Sequence, residues 1–174
     1  MKAFRPWFEG TLTLKSVPSD WSDRIEGRIV EGFLHPGRRA RSNYRVTRAE
    51  GDLLVFEAAD FATAFAIGLN HVELRRLTGE TLSYRVSFTR WNRYVVTQGM
   101  VLGTVLAIAS FAPALERQIA ALGSWLFWSL VGFWSLAWPW ILTAIHRRFA
   151  QRLLEDILLE ELEYSEPPRV QEVV

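Results

Sequence analysis

The chain has no cysteine, so neither a disulfide nor a thiolate metal site is open to it. The short motifs that announce chemistry are missing as well: G-x-x-x-x-G-K, G-x-G-x-x-G, H-E-x-x-H and the nucleophile elbow do not occur. Histidine is scarce. His35, His71 and His146 lie in three different settings and read as structural or surface residues rather than as metal ligands. With no motif to assign, the sequence is read as non-enzymatic, with no catalytic residue, no cofactor and no metal. The opening MKAFRPWFEG lacks the apolar core of about 7–15 residues that a secretory signal needs, so the N-terminal region is expected to stay on the side where it is made.

A further lack is local. Tyr94 to Leu115 is a run of 22 residues without Asp, Glu, Lys, Arg or His, and Gln118 to Ile145 is a second run of 28. A helix rises about 1.5 Å per residue, so roughly 20 residues cross a hydrocarbon core of about 30 Å. Both runs are long enough, and they predict a transmembrane helical hairpin over 94–145, with helices at 94–115 and 122–145. Arg85, Arg90 and Arg93 precede the first run, His146, Arg147, Arg148 and Arg152 follow the second, and the connection carries only Arg117. Lys and Arg flanking a span stay cytoplasmic, which predicts a two-pass protein of the inner (plasma) membrane of a bacterium with both termini in the cytoplasm.

Aromatic and small residues refine that hairpin. Trp91, Tyr94, Trp125, Trp128, Trp138 and Trp140 fall near the expected interfaces, where an apolar ring with one polar group is most at ease. Pro139 cannot donate to the carbonyl of Ser135, so a bend is expected there. Gly99, Gly103 and Ala107 recur at spacing four and are expected to pack against Ser129, Gly132 and Ser135 of the second helix, or against another copy or partner. Gln98 is the one strongly polar side chain well inside the first helix and is read as an interhelical hydrogen-bonding residue. Two spans without an intramembrane charge make a poor transporter.

Residues 1–93 carry 15 Lys or Arg against 11 Asp or Glu and read as a cytoplasmic α+β domain. A strand at Phe8–Leu14 leads through a turn, with Ser19 or Asp20 as helix cap, into an amphipathic helix. In it Trp21, Ile25, Ile29 and Phe33 recur every fourth residue up to His35-Pro36-Gly37. An antiparallel meander is expected over Asn43–Ala49, Leu53–Ala58, Ala64–Leu77 and Thr81–Thr89. Strand, turn and helix in this order resemble the opening of the helix-grip folds, which enclose hydrophobic ligands and close with a long helix across the sheet. Here the first predicted span occupies that closing place. A reading of this domain as a ligand-binding module predicts a cavity lined by residues such as Trp21, Phe33, Phe56, Phe61 and Phe65. Gly68-Leu69-Asn70-His71 reads first as a structural interruption of a strand, and Asn70 and His71 are the candidate polar contacts of a bound ligand.

Residues 146–166 predict an amphipathic cytoplasmic helix, with Phe149, Leu153, Leu154, Ile157, Leu158 and Leu162 on one apolar stripe. Pro167-Pro168 ends it, and 167–174 reads as a disordered tail. Five arginines in eleven residues, Arg38, Arg39, Arg41, Arg45 and Arg48, predict contact with anionic lipid headgroups. No aromatic platform lies beside them, so nucleic acid is not expected as a partner. The expected partners are membrane lipids and other membrane protein subunits or further copies of the chain. The expected function is that of an accessory or scaffold subunit of a larger inner-membrane assembly; the alternative is a tethered module binding a lipid or other hydrophobic ligand.

Overall fold

The computed structural model describes residues 5–32, 43–66, 68–112, 119 and 123–164. The chain divides into two compact units, one of Trp7–Phe88 with Arg148–Val174, the other of Met1–Pro6 with Thr89–Arg147.

The first unit is α+β, built on an antiparallel five-stranded sheet. Its strands are β1 (Trp7–Thr13), β2 (Tyr44–Glu50), β3 (Leu53–Ala58), β4 (His71–Arg76) and β5 (Thr81–Ser87), in the order β1-β5-β4-β3-β2. In the meander β2 to β5 short turns join β2 to β3 and β4 to β5, while residues 59–70 connect β3 to β4. In the first turn Gly51 takes a φ of 53°, which a side chain would resist. β1 then pairs with β5, Phe8 opposite Val86 and Gly10 opposite Tyr84. Alternation along the strands sends Phe8, Leu54, Phe56, Val72, Leu74, Leu82, Tyr84 and Val86 to one buried face. Glu9, Arg85, Glu73 and Arg75 stand on the other face.

Two helical segments serve the buried face. α1 (Trp21–Glu31) buries Trp21, Ile25 and Ile29. It ends earlier than the His35-Pro36-Gly37 expected, because Gly32 adopts a left-handed φ of 77° and its N–H closes on the Ile29 carbonyl. Asp20 stands at the N-cap but does not cap with its side chain; its carboxylate instead accepts a 2.9 Å hydrogen bond from Arg24 Nε. The second segment is C-terminal, and there Ala150, Leu153, Leu154, Ile157, Leu158 and Leu162 are buried. Polar contacts tie it down. Tyr84 of β5 donates to Glu155, Gln151 Nε2 donates to both, and Arg28 of α1 pairs with Glu160 at 2.7 Å and Glu161 at 3.0 Å. The Lys15 N–H donates to Glu163 at 3.0 Å. The Tyr84 ring lies over Gly10, where an added Cβ would overlap its hydroxyl end. In chain order the second unit therefore separates β5 from the helical segment that completes the sheet's core.

The expected strand over Ala64–Leu77 is corrected. Its first part belongs to a short helix, α2 (Phe61–Ala66), and β4 begins only at His71. Asp60 starts that helix by accepting the Thr63 N–H at 2.7 Å, a bond that holds its carboxyl below the usual carboxylate range. Gly68, with a φ of 78°, then turns the chain toward β4.

The second unit is helical. α3 (Thr89–Ala109) is followed by α4 (Ser124–Gly132), a π turn (Phe133–Ala137), α5 (Trp138–Leu159) and a second π turn (Glu160–Tyr164). From Arg148 onward these residues belong to the sheet unit. Among the described residues one helical run, Ser124–Glu163, is long and apolar enough to cross a membrane, and only 17% of its most apolar stretch is buried. α3 does not reach that standard. Its first turns carry Arg90, Asn92 and Arg93, and residues 113–115 of the expected span lie outside the described residues.

Candidate functional site: the seam and outer face of the helical pair

α3 and the second helical run pack antiparallel, and the sequence explains where they touch. Gly99 and Gly103 fall one turn apart on one face of α3, and both are buried. A Cβ at Gly99 would lie 2.6 Å from Pro139 Cγ and 3.1 Å from the Trp134 carbonyl oxygen; one at Gly103 would overlap the Ser135 hydroxyl. Ala107, one turn further on, is half-buried. Absence of side chains thus lets two backbones approach, which matters most where no hydrophobic force presses helices together.

Pro139 shapes the other side of the seam. Having no N–H, it leaves the Ser135 carbonyl without its usual partner. The backbone widens into the π turn just before it, where the Trp138 N–H reaches back five residues to the Phe133 carbonyl. Ser135 Oγ donates to the Val131 carbonyl at 2.6 Å, so its hydroxyl is satisfied within its own helix. Ser129 and Gly132 take no part in this seam: Ser129 is exposed and donates to the Trp125 carbonyl, and nothing lies within 4 Å of a Cβ at Gly132. Val131 is buried in their place.

At the other end of the pair Thr143, 1% exposed, lies 2.7 Å from Asn92 Oδ1 and 2.8 Å from the Pro139 carbonyl oxygen. Trp91 stacks on His146 with ring centroids 3.9 Å apart. Sequence reasoning did not single out Asn92 and Thr143. The available signal was a small hydroxyl buried at one end of an apolar run, opposite an amide at the start of another.

The outer surface of the pair is apolar. Met100, Val101, Val105 and Ile108 of α3, and Leu126, Leu130, Leu136 and Ile141 of the second run, are all exposed. Of the expected interfacial aromatics, Tyr94, Trp125, Trp128 and Trp140 are exposed, whereas Trp91 and Trp138 are half-buried. Gln98 is also exposed, at the rim of a cleft of about 60 Å³ formed with Trp134 and Trp138.

The remaining expected sites fall in the sheet unit. Arg45 pairs with Glu57 at 2.6 Å and Arg48 with Glu50 at 2.7 Å, so both charges are matched on the strand surface. Arg38, Arg39 and Arg41 lie outside the described residues, as do His35 and Phe33. Trp21 and Phe56 are core residues, each 1% exposed, while Phe61 and Phe65 are exposed and stacked on each other. Asn70 is buried and donates to the Ala64 carbonyl, joining α2 to the start of β4; His71 is exposed. The polar sheet face carries an open depression of about 420 Å³ bordered by Glu9, Thr11, Glu73, Arg75, Ser83 and Arg85. Among the described residues no group of three or more His, Asp or Glu is placed to hold a metal. No family model, no curated protein and no solved structure matches the chain.

Proposed function

We propose that the chain is a two-pass integral membrane protein, a non-enzymatic accessory subunit that belongs to a larger inner-membrane assembly. One observation carries this reading. The seam of the helical pair is closed by glycine, serine and proline, while its large apolar side chains point outward along both helices. An exposed apolar surface of that extent marks contact with lipid or with other protein. Uncharged residues run through both helices, and an antiparallel hairpin brings Arg90 and Arg93 to the same end as Arg147 and Arg148. Basic residues flanking that end support a cytoplasmic location for both termini and for the sheet unit. Arg38, Arg39 and Arg41 are the candidate contacts with anionic headgroups in this reading; Arg45 and Arg48, already paired with carboxylates, contribute less.

The absence of cysteine makes the topology directly measurable, because each introduced cysteine is unique. A cysteine replacing Gln118, between the helices, is expected to react with an impermeant maleimide only from the periplasmic side, and one replacing Ser16 only from the cytoplasmic side. Labelling of both from one side would exclude the two-pass arrangement. Purification of the tagged chain from native membranes in mild detergent, followed by mass spectrometry, tests the assembly. Stoichiometric membrane proteins are expected; a chain recovered alone as a monomer would defeat the accessory-subunit reading.

A further inference from the structure

We infer that the chain pairs with a second copy of itself in the membrane through the outer face of α3, with Gln98 at the centre of the contact. The inference rests on the two-span reading. Gln98 lies five residues beyond Arg93, about 7.5 Å further along the helix. With Arg93 held at the headgroups, its amide is below the polar boundary. The side chain is exposed and makes no hydrogen bond with any other described residue. An amide left unbonded in hydrocarbon is costly, and water is not there to relieve it. The second helix does not supply the missing partner. Gln98 borders a narrow cleft with Trp134 and Trp138 but bonds to neither, and the neighbouring face of α3 is given over to the close approach of Gly99 and Gly103 to Pro139 and Ser135.

The surroundings of Gln98 fit a helix. Val101, Leu102, Val105 and Ile108 follow it at spacings of three and four, and all are exposed. Such a stripe alone says little, because lipid tails cover leucine and valine as well as a helix does. Gln98 changes the balance, and its chemistry selects the occupant. A primary amide has two donors and one acceptor carbonyl, so it is complementary to itself. Across a two-fold axis each copy's NH₂ donates to the other's carbonyl, and both amides are met at once. A single polar position within an apolar helical seam also fixes the register of the two copies.

Val105→Cys in the full chain, oxidised in native membranes and read on a non-reducing gel, tests this pairing. A disulfide-linked dimer is expected from Val105→Cys, and none from Leu130→Cys on the outer face of α4. Adding Gln98→Leu, which keeps helix propensity and removes the amide, should weaken self-association about tenfold, the worth of two interhelical hydrogen bonds. Gln98→Asn, which keeps the amide, should retain most of the dimer. Alkaline carbonate extraction of the same membranes separates the two claims. A chain that stays with the membrane yet gives no Val105 dimer, or one unchanged by Gln98→Leu, overturns the pairing and leaves the spans standing. A Val105 product with the mass of another protein also overturns it. A chain released by carbonate removes the span reading and the pairing together, since in water the amide needs no partner.

Discussion

The two units of this chain are organised in opposite senses. In the sheet unit the large side chains are inside: Phe8, Trp21, Phe56 and Leu74 are at most 1% exposed, and charge lies on the outer sheet face. In the helical unit the buried positions include Gly99, Gly103, Val131, Pro139 and Thr143, while Ile108, Trp125 and Leu136 face outward. One chain therefore applies two packing rules. Burying apolar area drives the first, at roughly 25 cal/mol per Å² removed from water. That drive is missing between helices already in an apolar solvent, where close backbone approach takes its place. The difference is what the proposed two-pass arrangement expects of units that meet different solvents.

The comparison breaks most readily at matched leucines. Leu154→Ala, in the core of the sheet unit, should cost about 2–5 kcal/mol, read from the denaturant midpoint of the sheet unit's unfolding. Leu136→Ala, 66% exposed on the helical pair, should change stability in detergent by no more than about 0.5 kcal/mol. Equal losses at both sites would mean that the outer face of the pair is packed against protein. The next largest effect is a charge. Leu136→Arg should raise the cost of membrane insertion by about 3 kcal/mol, visible as a shift from membrane to soluble fractions. Ser83→Arg, on the open sheet face, should leave that distribution unchanged. Smaller still is Gly99→Val, which places a branched side chain against Pro139 and the Trp134 carbonyl. A loss of about 1–3 kcal/mol is expected, measured as earlier thermal dissociation of the helical pair in detergent. Gly132→Val, with open space around it, should show none of this.

Much of this contrast was legible in the sequence, because it is written in periodicity. Alternation along Leu82, Tyr84 and Val86 gave β5 its buried face, and the recurrence of Trp21, Ile25 and Ile29 at every fourth residue gave α1 its own. Uncharged length gave the helices of the second unit. What was misread followed from local geometry that competes with pattern. Ala64 to Ala66 sit in an apolar stretch that suits a strand or a helix equally, and the Asp60 cap decided for the helix. Gly32 ended α1 before the more conspicuous Pro36-Gly37. Ser129 and Gly132 have the right size and spacing for the seam, but it is Trp134, Ser135 and Pro139 that meet the glycines of α3. The hydrogen bonds joining Tyr84 to Gln151 and Glu155 link positions 67 and 71 residues apart, and no local pattern could have revealed them.

Those hydrogen bonds give the smallest effect and set the alkaline limit of the sheet unit. Tyr84→Phe removes the hydroxyl that joins β5 to the C-terminal helix and leaves Glu155 with Gln151 alone, so a loss of about 1–2 kcal/mol is expected. Burial raises the Tyr84 pKa above the ordinary tyrosine value, and the hydrogen bond to the Glu155 carboxylate raises it further, against an opposing contribution from Gln151. Burial, and then the charge of Asp60, raise that of Tyr44. A phenol whose pKa is higher in the fold stays neutral there while the unfolded chain ionises. Its contribution to stability is therefore complete below the unfolded value of about 10 and is lost as pH rises through the folded one. Between pH 7 and 9 the denaturant midpoint should be insensitive to these groups; above about pH 10 it should fall, with phenolate absorbance from both residues appearing only as the unit unfolds. Tyr84→Phe should flatten that alkaline fall, because one of its two sources is gone. A variant with the wild-type slope would place the alkaline transition elsewhere and reduce the Tyr84 contact to packing over Gly10.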